Sequence, residues 1–107
     1  MKPIIFQEDN VFKAFKNKGE IATYRTGELP SDQEFWVKRA RAGPKVGEAD
    51  LFKAVRISKD NIYRLQKSFG EMPTGFTHAH EWYDRIIEMH GHIKDGWILY
   101  LNARWIE

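Results

Sequence analysis

Apolar residues recur along this chain with two different periods, and the switches between them mark out its elements. Near the start, Ile4, Ile5 and Phe6 follow Pro3 as a run of strand formers, and proline is tolerated at the first position of a strand. Val11, Phe12 and Phe15 then fall at i, i+1 and i+4, which places them on one helical face. This predicts a strand over Pro3–Phe6 and a helix over Val11–Asn17, capped by Asp9 or Asn10. Gly19 is the expected stop, since glycine turns left-handed without a Cβ clash. Ile21–Arg25 reads as a second strand, and Thr26–Asp32 as a loop rich in Gly, Pro, Ser and Asp. Glu34–Ala40 is the third strand, and Arg41–Gly47, with its Ala-Gly-Pro-Lys sequence, a loop.

The second half repeats the logic. Asp50–Ser58 reads as a strand in which Leu51, Val55 and Ile57 alternate with Phe52, Ala54 and Arg56. Asp60 is placed to cap a helix reaching Phe69, with Ile62, Leu65 and Phe69 at helical spacing. After a Gly70–Gly75 loop, Thr77 opens a helix to His90 whose stripe is Trp82, Ile86 and Met89, and Gly91 ends it. Asp95-Gly96 is a turn into the last strand, Trp97–Ile106, which directs Trp97, Leu99, Leu101, Ala103 and Trp105 to one face and Ile98, Tyr100 and Ile106 to the other.

The order β-α-β-β-β-α-α-β predicts an α+β fold. A short chain with several non-local strands hides their edges by curling, so the expected architecture is a small mixed β-barrel with about three short helices packed at its openings. At 107 residues it reads as one domain over 1–107. A hydrophobic share of 42% separates it from disordered chains. The absence of cysteine removes disulfides, thiolate metal sites and thiol nucleophiles together. No apolar run approaches the ~20 residues of a membrane span. A soluble, cytoplasmic protein without membrane contact is expected, and its oligomeric state is open.

The net charge of +2 does not mark a polyanion binder, but the distribution of charge is uneven. Lys38, Arg39, Arg41 and Lys45 place four cations and no acid in eight residues. Lys13, Lys16, Lys18 and Arg25 form a second basic group, and Tyr24 and Trp36 lie beside these cations. Cations interleaved with aromatic platforms hold single-stranded nucleic acid with little sequence reading. The bland counterparts are a solvated strand end and ordinary core packing. His78, His80, His90 and His92 form two His-x-His pairs at opposite ends of one predicted helix. About 15–18 Å of helical rise separates the pairs, so one metal cannot take all four, and no cofactor is called for. Thr23 is a nucleophile only if a base lies against it in the fold.

The early strand, the short helix ending at Gly19 and the strand closing on Thr23-Tyr24-Arg25 resemble the start of an ASCH domain, in the PUA-like superfamily of small β-barrels. The long strand over Leu51–Ile57, Glu81-Trp82 after Gly75-Phe76-Thr77, and Gly96-Trp97-Ile98-Leu99-Tyr100 extend the resemblance over nearly the whole chain. The family signature has the form Gly-x-Lys-x-x-Glu-x-Arg. Its arginine falls on Arg25, whereas its glycine, lysine and glutamate fall on Lys18, Glu20 and Thr23. The resemblance implies non-enzymatic RNA binding in a cleft beside Arg25. On the charge argument, Lys18, Lys38, Arg39, Arg41 and Lys45 would hold the backbone of RNA or a nucleotide-like ligand. Tyr24, Trp36 or Phe76 would stack a base. Some relatives hydrolyse acetylated cytidine with a lysine, a threonine and a glutamate. Here that alternative rests on Thr23 as nucleophile or general base, with Lys18 and Glu71 assisting.

Overall fold

The computed structural model describes residues 1–92 and 95–106. Five strands and three α-helices follow in the order β1 (Lys2–Ile5), α1 (Asp9–Lys18), β2 (Glu20–Thr26), β3 (Glu34–Lys38), β4 (Lys45–Ile57), α2 (Tyr63–Glu71), α3 (Ala79–His90) and β5 (Gly96–Trp105), with a 3-10 turn over Lys59–Asn61 before α2. The strands form one sheet ordered β1-β3-β4-β5-β2. Its β1–β3 pairing is parallel and the other three are antiparallel. The sheet is mixed and curls into a half-barrel, leaving β1 and β2 as its two edges.

Both faces of the sheet are covered. On one, Phe15 of α1 is buried with Ile4, Phe6, Ile21, Phe35, Val37, Leu99 and Leu101. On the other, Leu65 of α2 and Trp82 and Ile86 of α3 pack on Ala22, Ile57, Ile98 and Tyr100. The alternation read along the last strand is present through its first half, with Trp97, Leu99, Leu101, Ala103 and Trp105 on one core and Ile98 and Tyr100 on the other, whereas Ile106 lies beyond β5 and is exposed. Gly19 ends α1 at φ 74° and its N–H donates to the Phe15 carbonyl, as the sequence predicts.

Three expectations are corrected. The loop anticipated over Arg41–Gly47 is shorter, because Lys45 and Gly47 already pair with β3. Asp9 lies inside the first turn of α1, and Glu8 occupies the cap position. The third concerns β4. Leu51 does not share a face with Val55 and Ile57: Ala49, Leu51 and Ala54 join the first core, whereas Val55 and Ile57 join the second. The cause is a bulge between Leu51 and Lys53. One extra residue, Phe52, reverses the in-out parity of everything after it.

Candidate binding cleft

Where the half-barrel stays open, a cleft of about 730 Å3 wraps around the outer edge of β2 and reaches β1. That volume lies within the roughly 300–1,000 Å3 of small-ligand sites. One wall is the chain from Pro3 to Glu8, and another is α3, through Trp82, Arg85, Ile86, Met89 and His90. Thr23, Arg25, Trp97 and Leu99 form the floor. The register explains this grouping, since Thr23 pairs with Leu99 and Arg25 with Trp97, and directly paired residues share a face. Glu28 and Pro30 from the β2–β3 loop, and Arg41 and Phe76, complete the lining.

Arg25 is the electrostatic centre of the cleft. Its Nη2 donates to the Ile5 carbonyl at 3.0 Å, so this one side chain bridges the two edges of the sheet. Its guanidinium carbon lies 4.9 Å from the centre of the Phe6 ring. Nε is buried without a hydrogen-bond partner, and none of the ion pairs among the described residues involves Arg25. Burial alone pulls its pKa down to about 10, because removing water disfavours the charged form. The group remains a cation at neutral pH, and its charge is held by a carbonyl and a ring face where an anion would serve better.

The lining also holds Arg41 and Arg85, and Arg85 is one that the sequence analysis did not single out. It donates from Nε to Glu8, and its Nη1 lies 3.1 Å from Glu88. The hydrogen bond to Glu8, ahead of its other surroundings, raises the pKa of Arg85. The signal was available in the sequence: Arg85 stands three residues after Trp82 and one before Ile86, so it interrupts the apolar stripe of the helix.

The structure brings Thr23, Tyr24, Arg25, Arg41 and Phe76 to this cleft. It does not bring the rest of the expected binding set there. Arg39 donates from Nε to the Phe6 carbonyl at 2.8 Å, pairs with Asp9, and lies 4.4 Å over the Phe12 ring. It ties the end of β1 to α1. Lys38 donates to the Arg41 carbonyl at 2.9 Å. Lys45 pairs with Glu48 at 2.6 Å and sits 5.9 Å over Trp36, whose ring is otherwise exposed. Lys18 is exposed at the end of α1, away from the cleft lining. The basic stretch therefore does not form one stripe, because most of its cations have partners within the protein.

The anticipated catalytic group is also separated. Glu71 accepts from the Tyr100 hydroxyl at 2.9 Å and meets Lys53 at 3.5 Å. Tyr100 pairs with Ala22 and belongs to the second core, whereas Thr23, one residue on, points to the opposite face. Thr23, Lys18 and Glu71 consequently do not converge. The His78 and His80 rings stack at 5.4 Å at the start of α3, and His90 lies at its far end beside Tyr24.

Comparison of the chain with protein-family models, with curated proteins and with solved structures gives no match. No helix among the described residues is long and apolar enough to cross a membrane.

Proposed function

We propose that the cleft binds single-stranded RNA by taking in one unpaired nucleotide, with Arg25 receiving its phosphate. The observation that carries this reading is the half-buried Arg25 guanidinium, which lines the cleft with its Nε buried and without a carboxylate partner among the described residues. A sheltered cation without an anion is costly, and a bound phosphate relieves that cost with short, charge-assisted hydrogen bonds. The lining supplies the rest of what an unpaired base requires. Phe76, Trp97 and Tyr24 offer aromatic faces, and Arg41 adds an exposed cation at the rim. The reading agrees with the ASCH-like resemblance in giving the main role to the arginine that ends Thr23-Tyr24-Arg25, and with a half-barrel sheet that leaves one side open. Thr23 is a floor residue in this scheme, since Lys18 and Glu71, the partners its catalytic role calls for, lie outside the cleft lining.

The test is fluorescence anisotropy with a labelled single-stranded RNA octamer. Arg25→Gln should weaken binding by roughly 10- to 100-fold, the range of a charge-assisted hydrogen bond. Arg25→Lys should recover part of the loss, as a point charge lacking the planar fork. Thermal unfolding of each variant checks that the Ile5 bridge is not the reason. Equal RNA affinity in wild type and Arg25→Gln would overturn the reading.

A further inference from the structure

We propose that Arg85 is a second phosphate-binding residue of the cleft, kept occupied in the free protein by Glu8, which stands in for the anion. The inference rests on the RNA reading of the same cleft and adds a residue pair that controls it. Both Arg85 and Glu8 line the cleft, from opposite walls: Arg85 comes from α3 and Glu8 from the segment leaving β1.

Among the described residues, Arg85 is the one hydrogen-bond and ion-pair partner of the Glu8 side chain. Glu8 stands at the cap position of α1, yet its side chain makes no capping hydrogen bond, and the helix uses only its backbone carbonyl, which accepts from Phe12 N–H at 3.0 Å. The carboxylate is instead turned to Arg85. Its side chain is 23% exposed against 37% for Arg85, so the pair is partly sheltered from solvent and still open to an incoming anion. Glu88, the second partner of Arg85, is 72% exposed and outside the cleft lining.

An arginine fork accepts carboxylate and phosphate in the same geometry. A phosphate entering between the two walls meets Arg85 already directed into the cleft and competes with Glu8 for it. The ligand with the better fit carries two phosphates, one for Arg25 and one for Arg85, as successive nucleotides of a strand do. Glu8 then sets a threshold: a single weak anion does not displace it, whereas a strand anchored at Arg25 does.

The experiment titrates the same labelled RNA octamer into wild type, Glu8→Gln, Glu8→Ala, Glu88→Gln, Arg85→Gln and Arg25→Gln, with thermal unfolding of each. Glu8→Gln and Glu8→Ala should bind about 5- to 10-fold tighter than wild type, because the internal competitor is gone. Glu88→Gln changes the net charge equally and should bind as wild type. Arg85→Gln should bind about tenfold more weakly, and the gain from Glu8→Gln should vanish when combined with it, the signature of coupled residues. Two alanine and glutamine versions at Glu8 guard against one failing to fold. Equal tightening in Glu8→Gln and Glu88→Gln, or weaker binding in both Glu8 variants, would overturn the proposal. If only Arg25→Gln changes affinity, the latch fails and the RNA reading stands. If the Glu8 variants tighten while Arg25→Gln binds as wild type, the Arg25 anchor fails and the latch stands. Loss of binding throughout the set removes both.

Discussion

Arg39 sits in the most basic stretch of the chain, yet its fork is engaged by the Phe6 carbonyl and Asp9 and its plane by Phe12. Charge in a sequence is visible, whereas the partner that uses it is not. Arg39→Ala should lower stability by about 1–2 kcal/mol, for a charged hydrogen bond and a ring contact, and leave RNA affinity unchanged. Thermal unfolding and the RNA titration separate the two effects. Glu71 supplies a second residue-level test. The Tyr100 hydroxyl, and then Lys53, hold its carboxyl below the ordinary value of 4.5. A depressed carboxylate stabilises the fold above that value and loses the contribution as pH falls below it. Glu71→Gln should therefore flatten the acid limb of the stability profile below about pH 4.5, measured by denaturant unfolding at several pH values. Burial, first of all, raises the Tyr100 pKa. Its contribution is complete below the ordinary value of 10.0 and declines as pH rises through it, so Tyr100→Phe should flatten the alkaline limb.

At the scale of elements, the segment between α2 and α3 fastens the cleft to the sheet. Ala22 N–H of β2 donates to the Pro73 carbonyl at 2.8 Å, and Asn10 Nδ2 donates to the Gly75 carbonyl at 2.9 Å. Gly75 has φ 90°, and a Cβ there would lie 2.6 Å from the Val11 Cα. Neither the conformation nor the backbone contact can yield to a larger residue. Gly75→Ala should cost about 1–3 kcal/mol and speed amide exchange at Ala22, detected by hydrogen exchange. Glycine also accounts for the β4 boundary that local reading misplaced. Gly47 is a poor strand former on its own, but it pairs with Val37 on one side and Trp105 on the other. A Cβ would come within 2.7 Å of the Arg104 carbonyl, so close strand approach favours the residue that propensity discourages. The periodic helices and the last strand were readable because each carries its apolar spacing within one segment. The Phe52 bulge was not, because parity is defined only against the partner strand.

Across the whole molecule, side chains close the open side of the sheet: Arg25 joins edge β2 to β1 through Ile5, and Arg85 joins α3 to Glu8 in the segment after β1. The salt dependence of RNA binding should show how few cations are available. Two phosphate contacts give a slope of about −1.4 in log K against log salt, whereas engagement of five cations would give about −3.5. A slope near the steeper value would mean that the basic stretch participates after all. The α+β composition, the element order and the covered faces of β5 follow from the sequence alone, since apolar period and turn chemistry act over a few residues. Arg25 was also singled out there, by resemblance and by charge. Which cations face the cleft, the separation of Thr23 from Glu71, and the pairing of Arg85 with Glu8 were decided only by tertiary structure. These depend on strand register and on contacts between residues as much as 77 positions apart, and no local pattern specifies the distance or direction between such groups.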